Sequence, residues 1–411
     1  MKVLVLNSGS SSQKSCVYEI GDALPAHPPD PEWEGKIEWK DGVAELSLRN
    51  SQGAALKESL KIASHAPATE RLLDMLSSGK VPAVAATSEI DIVGHRIVNG
   101  GRKYTQPTLI TPDVKSAISR MSALAPLHNR AELGGIELVG KKLGTVRQIA
   151  VFDTGFHAQL PDAAAVYPGP YDWFEQGIRR FGFHGINHQY CAGRAAQLLG
   201  KNLSELKLVT CHLGNGCSLA AIRGGNSIDT TMGFTPLEGL MMGTRSGSID
   251  PGIMTYLIRE KNYTAQQLDE LLNKKSGLLG ISGISGDMRD IESAIERGHA
   301  RAKLAFDIFI HRLRSSIGSM IAVLGGIDAL IFSAGIGENS PQVRAAACSN
   351  FGYLGLSLDS ERNPHLSPDQ DIASTNSVVR ILVIRAQEDW AIARACSNLA
   401  RAVPGRLASS T

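Results

Sequence analysis

Two short runs of glycine, serine and asparagine, half a chain apart, are the places where this sequence is best equipped to do chemistry. The first is Asn7-Ser-Gly9-Ser10-Ser-Ser12, which leads through Gln13 to Lys14. The second is His212-Leu213-Gly214-Asn215-Gly216. Each follows an apolar strand, Val3-Leu-Val-Leu6 or Leu208-Val-Thr-Cys211, and each runs into a second strand. Small residues let the backbone turn sharply, so that its N–H groups converge on an anion. One such hairpin is ordinarily just a turn. Two at equivalent places in a duplicated plan predict two grips on the phosphates of a nucleotide. The common phosphate motifs are missing, because no Gly-Lys pair is followed by Ser or Thr and no G-x-G-x-x-G follows a strand. What remains is a set of polar loops at strand ends, namely His95-Arg96, His128-Asn129, Asp153-Thr154, His184, 243–248, 335–339 and Glu388.

The elements that carry these loops read as alternating strands and helices, the pattern of an α/β protein. Residues 90–94 and 149–153 are short apolar strands that end in polar residues, where ligands of open α/β sheets bind. A helix is predicted after His188 as far as Leu199, stopped by Gly200. Residues 299–324 carry Leu304, Ile308, Leu313, Ile317, Met320 and Leu324 at helical spacing. Residues 328–333 form another buried strand, 379–384 a further one, 68–76 a helix and 388–400 a closing helix. Residues 23–41, rich in Pro, Asp, Glu and Trp, read as a surface excursion.

At 411 residues the chain exceeds one ordinary core, so two domains are expected. Its 42 Lys and Arg against 40 Asp and Glu leave +2, so no global field recruits nucleic acid or a membrane. Six cysteines without a CxxC pair argue for reduced thiols in a cytoplasm. The apolar start before Asn7 is too short for a signal peptide, and the stretch 321–332 is broken by two glycines and Asp328.

Taken in order, Asn7-Ser-Gly-Ser-Ser-Ser, Gly94-His-Arg-Ile-Val98, Leu124-Ala-Pro-Leu-His-Asn129, Phe152-Asp-Thr-Gly-Phe-His157, Arg180-Phe-Gly-Phe-His-Gly185, His212-Leu-Gly-Asn-Gly216, Met242-Gly-Thr-Arg-Ser-Gly247 and Ser333-Ala-Gly-Ile-Gly-Glu-Asn339 resemble the acetate kinase family across nearly the whole chain. The resemblance implies two actin-like ATPase (ribonuclease H-like) domains with duplicated βββαβα cores, residues 1–152 plus 386–411 and residues 153–385, with ATP in the cleft between them. It also implies a homodimer that makes an acyl phosphate and ADP from ATP and a short carboxylic acid such as acetate.

A carboxylate acceptor is already ionised at neutral pH and needs no general base. It needs its repulsion from the phosphates cancelled, in-line placement and charge stabilisation in the transition state. By the resemblance, Arg96 and Arg245 hold the acceptor and the transferring phosphoryl, His184 donates to a phosphoryl oxygen, and Asp153 completes the catalytic set. Asn7, Ser10, Ser12 and His128 fall near the phosphoryl group. Lys14, His212, Leu213, Gly214, Asn215, Gly216, Asp287, Met288, Arg289, Gly335, Ile336, Gly337, Glu338 and Asn339 fall to the nucleotide. Val98, Leu127, Phe183 and Pro236 match the apolar pocket for the acyl chain, although ordinary core packing would use the same residue types. Magnesium, or manganese, takes hard oxygen ligands, for which Asn7, Asp153 and Glu388 are the candidates. Helix capping is the plainer role for Glu388, and strand-end solvation for Asp153.

Asn99, Arg130, Ser248 and the pair Ala386-Gln387 depart from the family pattern, which bears on substrate range and on metal or nucleotide affinity. One methylene in an acyl pocket is worth only about 1–3 kcal/mol, so acetate and propionate are not distinguished. A sugar or polyol kinase would want a carboxylate base for a neutral hydroxyl, a role open to Asp153, but would have no use for two arginines. An actin-like nucleotide switch would not require Arg96 beside an apolar pocket.

Overall fold

The computed structural model describes residues 1–9, 12–40, 42–61, 66–121, 129–365 and 369–402. These fall into two compact units, Met1–Gly155 with Gln387–Thr411, and Phe156–Ala386.

In the first unit, Val3, Leu4, Val5 and Leu6 are all buried, and an apolar run covered on both faces makes a central strand. This is β1 (Lys2–Ser8), which turns back antiparallel into β2 (Ser12–Glu19). β3 (Trp33–Lys40), β4 (Val43–Asn50) and β5 (Ala55–Lys61) extend that side as a meander. On the other side β6 (Ile92–Ile97) runs parallel to β1, followed in space by β8 (Arg147–Phe152) and then the short β7 (Thr108–Leu109). The order is β5-β4-β3-β2-β1-β6-β8-β7.

The second unit repeats the plan. β9 (Lys207–Leu213), β10 (Cys217–Arg223) and β11 (Asn226–Thr230) form the antiparallel side. β12 (Ala329–Ser333) lies parallel to β9, beside β14 (Arg380–Val383) and the two-residue β13 (Gln370–Asp371). Its order is β11-β10-β9-β12-β14-β13, so β3-β2-β1-β6-β8 and β11-β10-β9-β12-β14 are the same five-strand motif. The duplicated α/β core expected from the sequence is present in both units.

The surface excursion expected at residues 23–41 is corrected by β3. Trp33 and Ile37 are fully buried and alternate with the charged Glu34, Lys36 and Glu38, which is the period of a half-buried strand. Gly35 is needed there, because a Cβ would stand 2.7 Å from the Trp33 ring and 2.9 Å from Leu72. β6 also runs further than expected, with His95 and Arg96 inside the strand rather than beyond it.

The closing helix Glu388–Ala402 buries Trp390, Ile392, Ala393 and Cys396, and contacts β1 and β6. It approaches so closely at Gly94 that a Cβ there would sit 2.6 Å from Cys396 Sγ. That packing fixes Glu388 beside the end of β1. In the second unit the helix Gly185–Leu199 ends at Gly200, whose φ of 62° is the left-handed conformation of a C-cap. Helix Ala300–Leu324 buries Leu313, Ile317, Met320 and Leu324 as expected, while Leu304 is exposed and Ala302, Ala305 and Phe309 fill its place. All six cysteines are buried free thiols. Among the described residues, no helix is long and apolar enough to cross a membrane.

Candidate active site

Strand ends bring the candidate residues of the first unit together. Asn7 is the penultimate residue of β1, and its Nδ2 donates to Glu388 Oε2 at 3.1 Å and to Asp389 Oδ1 at 2.9 Å. Gly9 N–H closes the first turn onto the Ser12 carbonyl at 2.7 Å, and Lys14 stands opposite Asn7 in the β1–β2 register. Arg96, from β6, donates through Nη2 to Asp153 Oδ2 at 2.7 Å and through Nη1 to the Ser8 carbonyl at 3.2 Å. The pair is 11% and 0% exposed. Burial works against the Arg96 charge, but Asp153 and Glu388 outweigh it and hold the guanidinium protonated. Its buried Nε meets no hydrogen-bond partner among the described residues, which leaves a donor for an incoming anion.

The sequence reading missed two carboxylates here. Asp389 follows Glu388 in the first turn of the closing helix, and desolvation raises its pKa against Lys14 and Asn7. Glu388, Asp389 and the Asn7 amide are hard oxygen donors of the kind magnesium takes. Among the described residues no three His, Cys, Asp or Glu side chains are grouped to hold a metal without such an amide or a substrate oxygen.

The second is Glu132, from helix Asn129–Leu143, which accepts the Val98 N–H at 3.1 and 3.2 Å and is 4% exposed. Burial pushes its carboxyl up to about 8, with Asp153 adding to the rise and Arg96 and the Val98 N–H opposing it. An unfolded glutamate ionises near pH 4.3, whereas the native one stays protonated to about 8. The native state therefore binds the extra proton across that window, and stability falls as pH rises through it. At about 1.4 kcal/mol per unit, the loss reaches at most about 4–5 kcal/mol. Glu132→Gln removes the titration, so its melting temperature relative to the parent should climb between pH 5 and pH 8.5. A difference that stays flat with pH in thermal melts would refute the account.

In the second unit the site gathers around the 214–216 turn. His184 precedes helix Gly185–Leu199 with φ 55°, a left-handed conformation uncommon outside glycine. Its ring stacks on that of His212 at 4.0 Å, and its Nδ1 is 2.8 Å from Ser218 Oγ. Asn187 Nδ2 donates to His212 Nδ1 at 2.9 Å, which turns His212 Nε2 toward Gly214. A Cβ on Gly216 would lie 3.3 Å from Arg245 Nη1 and 3.4 Å from both Cε1 and Nε2 of His184. The guanidinium and the imidazole thus converge on one point of the turn.

The loop that carries Arg245 is gripped by the start of helix Gly277–Ser282. Ser276, Leu278 and Leu279 donate their N–H groups to the carbonyls of Thr244, Met242 and Gly243. Arg245 Nη1 itself donates to the Pro236 carbonyl at 3.0 Å. Gly243 N–H meets the Asn215 carbonyl, and Gly286 abuts Gly243, so close that a Cβ on Gly286 would be 2.8 Å from its carbonyl oxygen. The run 285–289 is thereby joined to the turn. Within that run Asp287 caps helix Met288–Glu296 and binds Arg289, the structural role of an exposed pair, while Met288 is buried. At the end of β12, Ala334 adopts φ 66° and starts the short helix Ala334–Asn339, and its Cβ lies 3.8 Å from where a Gly214 Cβ would stand. Glu338 ties that helix together by accepting the N–H groups of Ala334 and Ala386, both at 2.8 Å.

Of the acyl-pocket candidates, Val98 is buried in the first unit, while Phe183 is buried and Pro236 half-buried in the second. Ser10, Leu127 and His128 lie outside the described residues. Two departures from the family pattern have local structural work. Asn99 Oδ1 accepts the Gly101 N–H at 2.8 Å, and Ser248 Oγ accepts the Gly239 N–H at 3.0 Å.

Comparison with known proteins places these features in context. The model of the acetokinase family matches residues 2–394. An acetate kinase of Nostoc punctiforme is 59% identical over 399 residues, covering 96% of this chain and 98% of its own. One of Gloeobacter violaceus is 58% identical over 400 residues, covering 96% and 98%. Among solved structures, Porphyromonas gingivalis acetate kinase superposes with a TM-score of 0.87 at 38% identity, over 97% of this chain and 99% of its own. A propionate kinase from Francisella tularensis gives the same TM-score at 36% identity, over 97% and 99%.

Proposed function

The chain belongs to the acetokinase family, and from that premise we propose that it transfers the γ-phosphoryl group of ATP reversibly and directly to acetate, giving acetyl phosphate and ADP. The observation that carries the reading is the convergence of Arg245 and His184 on the 214–216 turn, in a chain 59% identical to an acetate kinase. An ionised acceptor supplies its own nucleophilic oxygen, so the protein's work is to cancel charge and hold geometry. Arg96, held protonated and with Nε available, binds the acetate carboxylate. Val98 of the first unit, and Phe183 and Pro236 of the second, are the proposed apolar residues for the methyl group, with Leu127 as a fourth candidate. Arg245 and His184 stabilise the oxygens of the phosphoryl group in flight. The 212–216 and 335–339 segments, with 287–289 and Lys14, are assigned to the nucleotide, and Asn7, Ser10, Ser12 and His128 to the phosphoryl group.

Magnesium, for which Asn7, Glu388 and Asp153 are the proposed ligands and Asp389 an added oxygen, would neutralise the phosphate oxygens when bound. Asp153 would serve that end chiefly by fixing Arg96. A homodimer in the cytoplasm belongs to the same proposal. Its support is the helix Pro251–Lys261, which buries none of its residues and exposes Ile253, Tyr256 and Ile258. Light scattering checks it, a monomeric mass counting against the dimer.

The test of function is to trap acyl phosphate as the hydroxamate with ATP, Mg²⁺ and each of acetate, propionate and butyrate, and to follow ADP release with glycerol, whose phosphate ester forms no hydroxamate. Acetate should give the highest kcat/KM and glycerol no product. Higher kcat/KM with propionate would reassign the substrate within the family, and no product from any acid would sink the reading.

A further inference from the structure

Behind the 214–216 turn runs a buried chain of hydrogen bonds that phosphoryl transfer, as derived above, does not explain. His184 Nδ1 lies 2.8 Å from Ser218 Oγ, which lies 2.8 Å from His188 Nε2. His188 Nδ1 is 2.7 Å from Thr210 Oγ1, and that hydroxyl donates to the Ala220 carbonyl at 3.5 Å. Ser218 and His188 are fully buried and Thr210 is 1% exposed. The secondary structure builds the chain directly. His184 and His188 are one helical turn apart, joined by a 2.9 Å backbone bond, so both rings reach Ser218 on β10. Thr210 and Ala220 are register partners on β9 and β10.

Each hydroxyl has one proton to give, and a neutral imidazole has one N–H. Only one direction of donation satisfies all four contacts. Thr210 gives its proton to Ala220, so its oxygen accepts from His188 Nδ1. His188, which burial together with His157 and His212 keeps neutral, is then bare at Nε2 and accepts the Ser218 proton. The Ser218 oxygen is left to accept, and its donor is His184 Nδ1–H. The opposite direction leaves the long Thr210 to Ala220 contact unmade.

We propose that Ser218 and His188 are positioning residues that hold the proton of His184 on Nδ1, so that the ring donates to the transferring group through Nε2 only as the imidazolium. The inference rests on the reading of His184 as a donor to a phosphoryl oxygen. Among the described residues, the charged or titratable groups near the ring include Arg245 from the loop after β11, His212 from β9 and, through Ser218, His188 from its own helix. Loss of the second proton removes the donor, so kcat falls as pH rises through the His184 titration.

The test uses the full-length protein labelled with ¹⁵N-histidine, in which two-bond proton–nitrogen spectra report which ring nitrogen is protonated and His184→Gln assigns the signal. His184 should carry its proton on Nδ1 at a pH where the ring is neutral. Ser218→Ala should lower kcat about 10–100-fold, the range for losing a hydrogen bond that orients a working ligand. The KM for both substrates should stay within about threefold and the alkaline fall of kcat should flatten. Ser218→Thr, which keeps the hydroxyl, should restore the tautomer and most of kcat. A parent His184 protonated at Nε2 and bare at Nδ1 overturns the proposal, as does a Ser218→Ala enzyme with unchanged kcat and pH profile. Absence of hydroxamate product from the parent would count against the kinase reading, while the spectra still decide the tautomer.

Discussion

Arg245→Ala lowers the rate of hydroxamate formation by about 10³–10⁵-fold, the range for removing an arginine that offsets charge in phosphoryl transfer, and leaves thermal stability nearly unchanged. The two halves of that expectation have separate causes. The loop is held by backbone bonds from Ser276, Leu278 and Leu279, none of which involves the Arg245 side chain. Truncation removes a half-buried guanidinium with bonds that include those to the Pro236 carbonyl and Met242 Sδ, a change worth about 1 kcal/mol at such sites. The catalytic half follows from placement, since Nη1 and the His184 edge face the same point of the turn at 3.3–3.4 Å. Arg245→Lys keeps the charge without the planar fork and should recover only part of the rate. Near-full activity in Arg245→Ala, measured with ATP and acetate at saturation, would remove Arg245 from the mechanism.

The two Gly/Ser hairpins were legible because small residues between apolar strands let the backbone turn sharply, while the duplicated core was implied by the resemblance to the family. β3 was legible too, in the alternation Trp33, Gly35, Ile37, but its charged and proline-rich approach masked the period. The site divides along the same line. Residues adjacent in sequence, such as His184 with Phe183 or the 214–216 turn, announce themselves by composition. The Arg96–Asp153 pair, 57 residues apart, exists because β6 and β8 are parallel neighbours, and no local pattern states that. Glu132 was missed for a related reason. Its charge reads as solvent-facing in helix Asn129–Leu143, and only packing buries it against the Val98 N–H. The His184–Ser218–His188–Thr210 chain draws on a helix and two strands, so its direction of donation is a property of the fold alone.

Arg96→Ala should abolish measurable turnover and also destabilise the protein, and the second effect has to be separated from the first. Asp153 is fully buried, and taking away the guanidinium leaves its carboxylate without that cation where solvent cannot reach it. Removing one partner of a buried ion pair costs about 3–5 kcal/mol. Lost activity in the single variant could therefore reflect an unfolded enzyme. The double variant Arg96→Ala with Asp153→Asn resolves the ambiguity, because a neutral amide carries a much smaller desolvation cost. Denaturant unfolding should show the double variant more stable than Arg96→Ala by about 2–3 kcal/mol, a coupling within the range for contacting residues. Its hydroxamate rate should remain at least about 10³-fold below that of Asp153→Asn alone, since the donor for the acceptor carboxylate is still missing. If turnover returns with stability, Arg96 serves only to balance Asp153, and acetate must be held by another cation.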